Sequence, residues 1–199
     1  KSYEGIEARK ITINNGLVSI MSIDDGINAG GLSEGQTRAE DKVDQDCVVA
    51  INGGEINIVA SGDGIDSNGS LTFNGGTTII DGPTSNGNGA LDAGTKIIIT
   101  NGEVIAIGSS MMAGSFDESS SVNNLSINLS KSYSSNAKIS IKDSDDNIVI
   151  SHIAKKSFSH IVIASSKLEN EKSYSLHIDN SLISTFTVLN TKTVIGNGN

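Results

Sequence analysis

The stretch Asp63–Gly82, DGIDSNGSLTFNGGTTIIDG, contains a complete structural unit. It begins with a glycine-rich corner that carries two carboxylates, Asp63 and Asp66. An alternating segment around Leu71 and Phe73 follows, then an Asn-Gly-Gly corner and a second β-branched segment. Alternation with a period of two is typical of half-buried β-strands, and Asn-Gly and Gly-Gly pairs are typical of tight turns. We therefore expect two short strands joined by sharp corners, without a helix.

Three other segments share this layout. Each has an acidic or small residue followed by Gly or Ala, an Ile or Leu, a carboxylate or amide, a strand, a corner and a second strand. They are EGIEARKITINNGLVSIMS (4–22), DGINAGG (25–31) continued by VAINGGEINIVAS (49–61), and GALDAGTKIIITNGEVIAIGS (89–109). Repeats of short strands without a helix predict a parallel β-helix, because each repeat buries its apolar face only by stacking on its neighbours.

The alignment of the four repeats also predicts the direction of individual side chains. The residues expected to stack inwards are Ile11, Ile13, Val49, Ile51, Leu71, Phe73, Ile97 and Ile99. Those expected to face outwards between them are Thr12, Ala50, Thr72 and Ile98. A ladder of polar side chains is expected at the following corner, formed by Asn14, Asn52, Asn74 and Thr100. The residues expected to accommodate a positive φ there are Asn15, Gly53, Gly75 and Asn101.

Composition supports an all-β chain and limits its partners. The 199 residues include 22 Gly, 1 Pro and no Trp, and β-branched residues are frequent throughout. The formal net charge of −9 disfavours nucleic acids and anionic membranes, which attract basic surfaces, and favours cations. No apolar run is long enough for a membrane-spanning helix. The single cysteine, Cys47, cannot form an intramolecular disulfide, and we expect it at the start of a strand.

The repeats end near Ser115, where the composition changes to Ser, Asn and Lys. Segments 137–153 and 172–189 alternate on either side of a polar turn and predict antiparallel strand pairs. We therefore divide the chain into parallel β-helix coils at 1–114 and an antiparallel β-rich cap at 115–199, which protects one open end of the stack. At the other end we expect further coils, or head-to-tail packing with another solenoid segment or chain.

The acidic corners are candidates for a cation site. The aligned residues are Glu4, Asp25, Asp63 and Gly89 before the corner and Glu7, Asn28, Asp66 and Asp92 after it, with Asp24 adjacent. Carboxylates on neighbouring strands would lie about 5 Å apart and repel by about 3 kcal/mol at an effective dielectric near 20. A divalent cation reverses this repulsion, and hard oxygen ligands suit Ca²⁺. The alternative is that these residues are turn formers that face water.

Two further sets of polar residues carry weaker signals. The insertion after Gly30 contains Glu34, Arg38, Glu40, Asp41, Lys42, Asp44 and Asp46. Such a run predicts a solvated loop, with a lip over the repeats or a further cation site as alternatives. His152, His160 and His177 lack the spacing of metal ligands, and we expect them on strands or at the surface.

The ordered succession of these motifs resembles a known family. The segments YEGIEA (3–8), DDGINA (24–29), NGNGALDAG (86–94) and IIITNGEVIAIGSSMMAG (97–114), followed by IKDSDDNIVIS (141–151), are similar to those of the clostridial-type carbohydrate-binding domain family. The resemblance implies a secreted, right-handed parallel β-helix that carries Ca²⁺ and binds cellulose or acidic sugars such as polygalacturonate. The family's calcium-rich turns map onto Asp24, Asp25, Asn28, Asp63, Asp66 and Asp92.

Three functions are compatible with the sequence. The first is an extracellular, non-catalytic module that binds plant-type polysaccharide, with Ca²⁺ bridging to acidic sugars. The second is a Ca²⁺-dependent polysaccharide lyase of the pectate type, which would need a basic residue as the proton acceptor. The candidates for that base are Arg9, Lys10, Arg38 and Lys42. The third is a structural surface or filament protein that stacks through its uncapped end. Few aromatic residues are present to stack on sugar rings, with Tyr3, Tyr133 and Tyr174 as the candidates.

Overall fold

A computed structural model describes residues 1–30 and 43–196, and these residues form short β-strands. The strands of the repeats are β1 (Ile6–Glu7), β2 (Lys10–Ile13), β3 (Leu17–Met21), β4 (Ile27–Ala29), β5 (Val48–Ile51), β6 (Glu55–Val59), β7 (Ile65–Ser67), β8 (Ser70–Phe73), β9 (Thr77–Asp81), β10 (Lys96–Ile99) and β11 (Glu103–Gly108). The later strands are β12 (Asn124–Tyr133), β13 (Lys138–Lys142), β14 (Ile148–Ile153), β15 (Phe158–Ala164), β16 (Ser173–Ile178), β17 (Ser181–Thr187) and β18 (Lys192–Ile195).

The strands form four separate sheets. Strands from successive repeats pair in parallel in a three-stranded sheet (β1-β4-β7) and a four-stranded sheet (β10-β8-β5-β2). A seven-stranded sheet has the order β18-β12-β15-β11-β9-β6-β3. An antiparallel four-stranded sheet has the order β14-β13-β16-β17. Each repeat therefore contributes its strands to different sheets, because its corners change the direction of the chain between one strand and the next.

The predicted fold class, a right-handed parallel β-helix with an antiparallel cap, is wrong. The described residues are all-β, with 51% of them in strands or bridges, but parallel and antiparallel pairs are mixed and these residues form no closed or solenoid sheet. The physical reason lies in the seven-stranded sheet. There β15 pairs antiparallel with β11 on one side and with β12 on the other, so the strand direction reverses within a single sheet. The division at residue 114 stays a prediction.

The predicted alignment of the repeats is confirmed at the level of residue pairs. Thr12 pairs with Ala50, Ala50 with Thr72, and Thr72 with Ile98. The predicted inward residues on either side of them are all buried, with exposed fractions between 0% at Val49 and 8% at Ile13. Cys47 is a buried free cysteine that directly precedes β5, as expected. The strand period of two therefore places one face of each strand in an aliphatic core.

The polar ladder is also confirmed, with a correction at the adjacent corner. The Asn52 amide donates to the Asn14 side-chain oxygen at 2.8 Å, and the Asn74 amide donates to that of Asn52 at 2.9 Å. The Thr100 hydroxyl completes the ladder by donating to Asn74 at 2.8 Å. Positive φ angles occur one residue later than predicted, at Gly16, Gly54, Gly76 and Gly102. In the first and fourth repeats the second corner residue is the glycine, which adopts this conformation at lower cost than Asn15 or Asn101, and in the two Gly-Gly corners the second glycine adopts it as well.

Strand β11 separates two hydrophobic cores. Val104 and Ala106 face the core between the parallel sheets, whereas Ile105 and Ile107 face a second core against the antiparallel sheet.

The outer edge of β10 is covered by the following loop, since the amide nitrogens of Asp117 and Ser121 donate to strand carbonyls. No described strand pairs with the outer edges of β1, β2 and β3, which end their sheets. Within residues 1–30 and 43–196, no helix is suited to crossing a membrane.

Glycines at the corner of the third repeat are required by close approach of the neighbouring repeats. A Cβ atom at Gly69 would contact the backbone oxygens of Asp44 and Cys47. A Cβ atom at Gly62 would contact the side chains of Asp24 and Asp25. The corner is therefore rich in glycine because the backbone of one repeat lies directly against that of the next.

Replacement of Gly69 by Ala is expected to destabilise the protein by about 1–3 kcal/mol, because the carbonyls of Asp44 and Cys47 must move. Gly87→Ala is the matched control, since a Cβ atom there would have no neighbour within 4 Å. Its stability is expected to change by less than about 1 kcal/mol. Urea unfolding of both variants measures the difference, and equal destabilisation would contradict this account of the corner.

Candidate metal centre

Three carboxylates meet at the acidic corner. Asp25 precedes β4, Asp63 precedes β7, and Asp66 lies within β7. One oxygen from each of these partly buried side chains lies within 4.8 Å of the others. Among the residues that the structure describes, this is the one such group of three metal-ligating side chains. The structure thus brings together three of the eight residues predicted from the sequence, and it places them so that they could hold a metal ion.

Backbone groups from successive repeats hold the triad in place. The Asp25 carboxylate accepts a hydrogen bond from the Asp63 amide nitrogen at 2.7 Å, and the Asp63 carboxylate accepts one from the Gly89 amide nitrogen. Each of these bonds uses one carboxylate oxygen and fixes the side chain across two repeats. Since a carboxylate has two oxygens with several lone pairs, it retains capacity to bind a cation.

The other predicted residues surround the triad without joining it. Asn28 pairs in register with Glu7 on one side and Asp66 on the other. Asp92 follows Leu91, which bridges to Ile65. The remaining two are Asp24, whose carbonyl accepts from the Gly62 amide, and Glu4, which precedes Gly5 in the first repeat. The predicted column of acidic and amide side chains is therefore present, with the densest cluster at its centre.

Two acceptor atoms near the triad are buried without a hydrogen-bond partner in the described part of the chain. They are Oε2 of Glu4 and Oδ1 of Asn28. A buried acceptor without a partner loses its hydration and gains nothing in return, which is unfavourable. Both atoms are oxygens that a hard cation accepts as ligands. They belong to the first and second repeats, on the side of the triad nearer the N-terminal strands.

Burial and mutual repulsion raise the pKa of several acidic side chains in the column. Burial is the largest cause for Asp63, whose pKa rises to about 8, with further contributions from the charges of Asp25, Asp66 and Asp92. Burial likewise raises the pKa of Asp25 to about 6. It also raises the pKa of Glu4 to about 7, together with the charges of Asp25, Asp24 and Glu7. Without a counter-ion, the column is therefore poorly suited to carrying its full negative charge near neutral pH.

A cleft of about 330 Å³ opens beside the triad. Asp63 and Asp66 form one part of its wall, together with Asp92, and Asn68 and Asn88 add amide side chains. Met112, which is 50% exposed, adds an apolar side chain from the loop after β11. The sequence analysis did not identify Asn68, Asn88 or Met112. Asn68 and Asn88 could have been found from the sequence, because both lie beside glycines in the corners. Met112 has no such signal.

Several other predicted residues have different roles or cannot be placed. Arg9 donates to Asp44 at 2.7 Å and lies 3.7 Å from Asp46, so these acidic residues of the insertion form ion pairs. Lys10 is exposed at the start of β2. The insertion residues Glu34, Arg38, Glu40, Asp41 and Lys42 lie outside the described residues.

The three tyrosines differ in their access to a ligand. Tyr3 is 67% exposed, whereas Tyr174 is buried and its hydroxyl bonds the backbone of Lys167 and Glu169. Tyr133 is half-buried and stacks on Phe158. Of the three, Tyr3 alone presents a largely free ring.

The sequence analysis also missed a buried acidic residue outside the column. Asp81 is fully buried, and one of its carboxylate oxygens lies 2.9 Å from His152 Nε2 and accepts from the Lys155 amide nitrogen. This contact joins β9 to β14 and thus links the parallel strands to the antiparallel sheet. No sequence signal indicated the pair, because the two residues are 71 positions apart.

Comparison with models of protein families, with curated proteins and with solved structures finds no match for this chain. The resemblance to the clostridial-type carbohydrate-binding domain family therefore stays a prediction. What the structure shows at the site is an acidic triad with the geometry to bind a metal ion.

The metal-free protein is expected to lose stability as the pH rises. Because the pKa values of Glu4, Asp25 and Asp63 are raised on folding, protonation stabilises the folded state fully below about pH 4, and this contribution is lost as the pH passes through about 6 to 8. In EDTA, we expect the melting temperature to be lower at about pH 8.5 than at about pH 5.5 by several degrees. Differential scanning calorimetry measures this, and a melting temperature that rises over that window would contradict the assigned electrostatics.

The substitution Asp63→Asn tests the repulsion between the carboxylates of the column at a single side chain. The Asn side-chain oxygen can still accept from the Gly89 amide, but one negative charge is removed from the triad. Near pH 8 and without metal, we expect the variant to be more stable by about 1–3 kcal/mol. We also expect it to lose most of the stabilisation that a divalent cation gives to the parent protein. Asp145→Asn, in an exposed turn, makes the same chemical change and should alter neither quantity. A destabilised Asp63→Asn variant that retains the full cation response would contradict this account.

Proposed function

We propose that this protein is a non-catalytic, extracellular binding module for polysaccharide, and that Ca²⁺ at the triad of Asp25, Asp63 and Asp66 is required for its function. The observation that carries the proposal is the convergence of three carboxylate oxygens within 4.8 Å at a corner of the fold. The ligand class, the cation and the extracellular location follow the resemblance found in the sequence.

The chemistry of the donors supports Ca²⁺ over other divalent cations. The triad contains only oxygen ligands, and none of its members is Cys or His. Soft and borderline metals such as Zn²⁺ prefer nitrogen and sulfur, whereas Ca²⁺ takes six to eight oxygens. A Ca²⁺–oxygen distance of about 2.4 Å allows two ligands to lie as much as about 4.8 Å apart. Mg²⁺ usually keeps several water molecules and is bound by only one or two carboxylates, so three converging carboxylates suit Ca²⁺ better.

The cleft beside the triad supports a ligand that contacts the ion directly. Its volume of about 330 Å³ is at the lower end of the range for small-molecule sites, about 300–1,000 Å³. It is open and mainly polar, which suits one unit of a longer polymer better than an enclosed apolar ligand. Asp63 and Asp66 belong both to the triad and to the cleft wall, so a bound ion would be part of the surface that the polymer meets.

The lyase hypothesis lacks a described base at the site. A pectate-type elimination needs a basic side chain beside the sugar carbon from which the proton is removed. Within the described residues, the cleft is lined by no Lys or Arg, and the Arg9 guanidinium is paired with Asp44.

The filament hypothesis has one supporting observation, the outer edges of β1, β2 and β3, at which no described strand pairs.

Calorimetric titration with Ca²⁺ and affinity electrophoresis in gels that contain polygalacturonate or hydroxyethyl cellulose test the proposal. We expect Ca²⁺ binding by the parent protein, retardation by at least one polysaccharide in Ca²⁺, and loss of retardation in EDTA. Asp66→Asn should weaken Ca²⁺ binding by at least about tenfold, because it removes one charged ligand of three.

Two results would contradict the proposed function. The first is an absence of Ca²⁺ binding at millimolar concentration. The second is the release of unsaturated sugar products from polygalacturonate, measured by their ultraviolet absorbance, which would show a lyase. Light scattering in the same buffers shows whether the protein assembles into filaments.

A further inference from the structure

We infer that Lys156 is a positioning residue for the cation site, because its ammonium group holds the corner that leads into Asp63 and keeps the Asp63 carboxylate within the triad. The inference rests on the proposed function, since its main readout is the affinity of the triad for Ca²⁺. Lys156 lies outside the repeats, in the turn between β14 and β15. This role therefore connects the antiparallel sheet to the site.

The single proline of the chain removes a backbone donor at this corner. In the first pair of repeats, the Ile23 amide nitrogen donates to the Ser2 carbonyl at 2.9 Å. In the strand register, Ala60 is equivalent to Ser2, and Pro83 is equivalent to Ile23. Proline has no N–H group, so the Ala60 carbonyl cannot receive the equivalent bond from it. Because Ala60 is fully buried, its carbonyl needs a donor from another part of the chain.

Lys156 supplies the donor that Pro83 lacks. Its Nζ donates to the Ala60 carbonyl at 2.6 Å and to the Ser61 hydroxyl oxygen at 3.1 Å. Its aliphatic stem lies against Gly82, where an added Cβ atom would come within 3.2 Å of Lys156 Cδ. Hydrogen bonds from an ionised donor are stronger than those from a neutral one. The ammonium group thus satisfies a buried carbonyl and fixes two successive residues of the corner.

The turn that carries Lys156 is itself anchored to the repeats. The Lys155 amide nitrogen donates to a carboxylate oxygen of Asp81 at 2.8 Å, and His152 Nε2 lies 2.9 Å from the same oxygen. Asp81 is fully buried at the end of β9. The backbone on the N-terminal side of Lys156 is therefore held at two points, so its side chain reaches the corner from a fixed position.

The corner held by Lys156 continues directly into the triad. Only Gly62 separates the bonded Ser61 from Asp63. The Asp63 amide nitrogen donates to the Asp25 carboxylate at 2.7 Å, so the backbone here also orients a second member of the triad. Ligands of a bound ion must be placed to within about 0.5 Å. A displacement of the corner would therefore separate oxygens that now lie within 4.8 Å of one another.

The charge of Lys156 and its contacts have opposite expected effects on Ca²⁺ binding. A positive charge near the site repels a cation, so loss of the charge alone should strengthen binding. Loss of the two hydrogen bonds should weaken it, because the corner is released. Lys155 is exposed and adjacent in sequence, and it carries the same charge without these two bonds. The direction of the change therefore separates positioning from simple electrostatics.

Three variants measure the two effects by calorimetric titration with Ca²⁺. Lys156→Met keeps most of the stem and removes the donor, and we expect it to weaken Ca²⁺ binding by about tenfold. Lys156→Arg keeps an ionised donor and should stay within about threefold of the parent value. Lys155→Met should bind Ca²⁺ as tightly as the parent protein or slightly more tightly. All titrations are made well below the melting temperature of each variant, so that every sample is folded.

Hydrogen exchange in EDTA measures the same role without the ion. In Lys156→Met, we expect the Asp63 amide to exchange at least about tenfold faster than in the parent protein, because the corner opens locally. The Ile141 amide, in a strand paired on both sides within the antiparallel sheet, should stay within about twofold of its parent rate. Lys155→Met should change neither rate.

The outcomes distinguish this inference from the proposed function. If the parent protein binds Ca²⁺ and Lys156→Met binds it equally well, the positioning role is wrong while the proposed function stands. Equal weakening in Lys155→Met, or equal acceleration of exchange at Asp63 and Ile141, would also overturn the positioning role. If the parent protein binds no Ca²⁺, the proposed function fails and exchange decides: selective acceleration at Asp63 supports the positioning of its carboxylate, and unchanged exchange there overturns it.

Discussion

The parallel pairing of successive repeats determines the core, the polar ladder and the acidic column in the first half of this chain. Strands in such a pair lie about 4.8 Å apart, so a residue at a given position of one repeat lies beside the equivalent residue of the next. Where the equivalent residues are aliphatic, as at Ile51 and Phe73, this proximity builds a core. Where they are asparagines, it builds a ladder of hydrogen bonds. Where they are acidic, it concentrates negative charge, which a bound cation would balance.

The strand pairing in much of the first half of the chain could be predicted, because paired strands have similar residues at matching positions of successive repeats. The four repeats have matching positions, and a match in sequence corresponds to a pair in space, as for Thr12 with Ala50 and Thr72 with Ile98. The fold class could not be predicted in the same way. It depends on β15, which inserts between β11 and β12 and reverses the strand direction, and an alternating pattern does not encode the partner of a strand.

The residues of the candidate site also differ in whether the repeats could predict them. Asp25 and Asp63 could be found because they occupy equivalent positions in adjacent repeats, and Asp66 because it is equivalent to Asn28. Met112 could not be found in this way, since it lies in a loop outside the repeats and reaches the cleft through hydrogen bonds to a segment about twenty residues earlier in the chain. Asp81 and His152, which are also in contact, lie still farther apart in the sequence, by 71 positions. A repeated sequence shows which residues of neighbouring repeats lie side by side. Contacts between segments that do not resemble each other can be seen only in the structure.

The asparagine ladder has a direction, because each amide donates towards the repeat that precedes it and the Thr100 hydroxyl begins the series. Asparagine carries both a donor and an acceptor, so it is complementary to another copy of itself. A tandem duplication of one repeat would therefore extend the ladder without any compensating substitution. The acidic column beside it lacks this property, since a carboxylate is not complementary to another carboxylate. Duplication of a repeat would thus add a complementary side chain at the asparagine corner, whereas at the acidic corner it would add negative charge that a cation would have to balance.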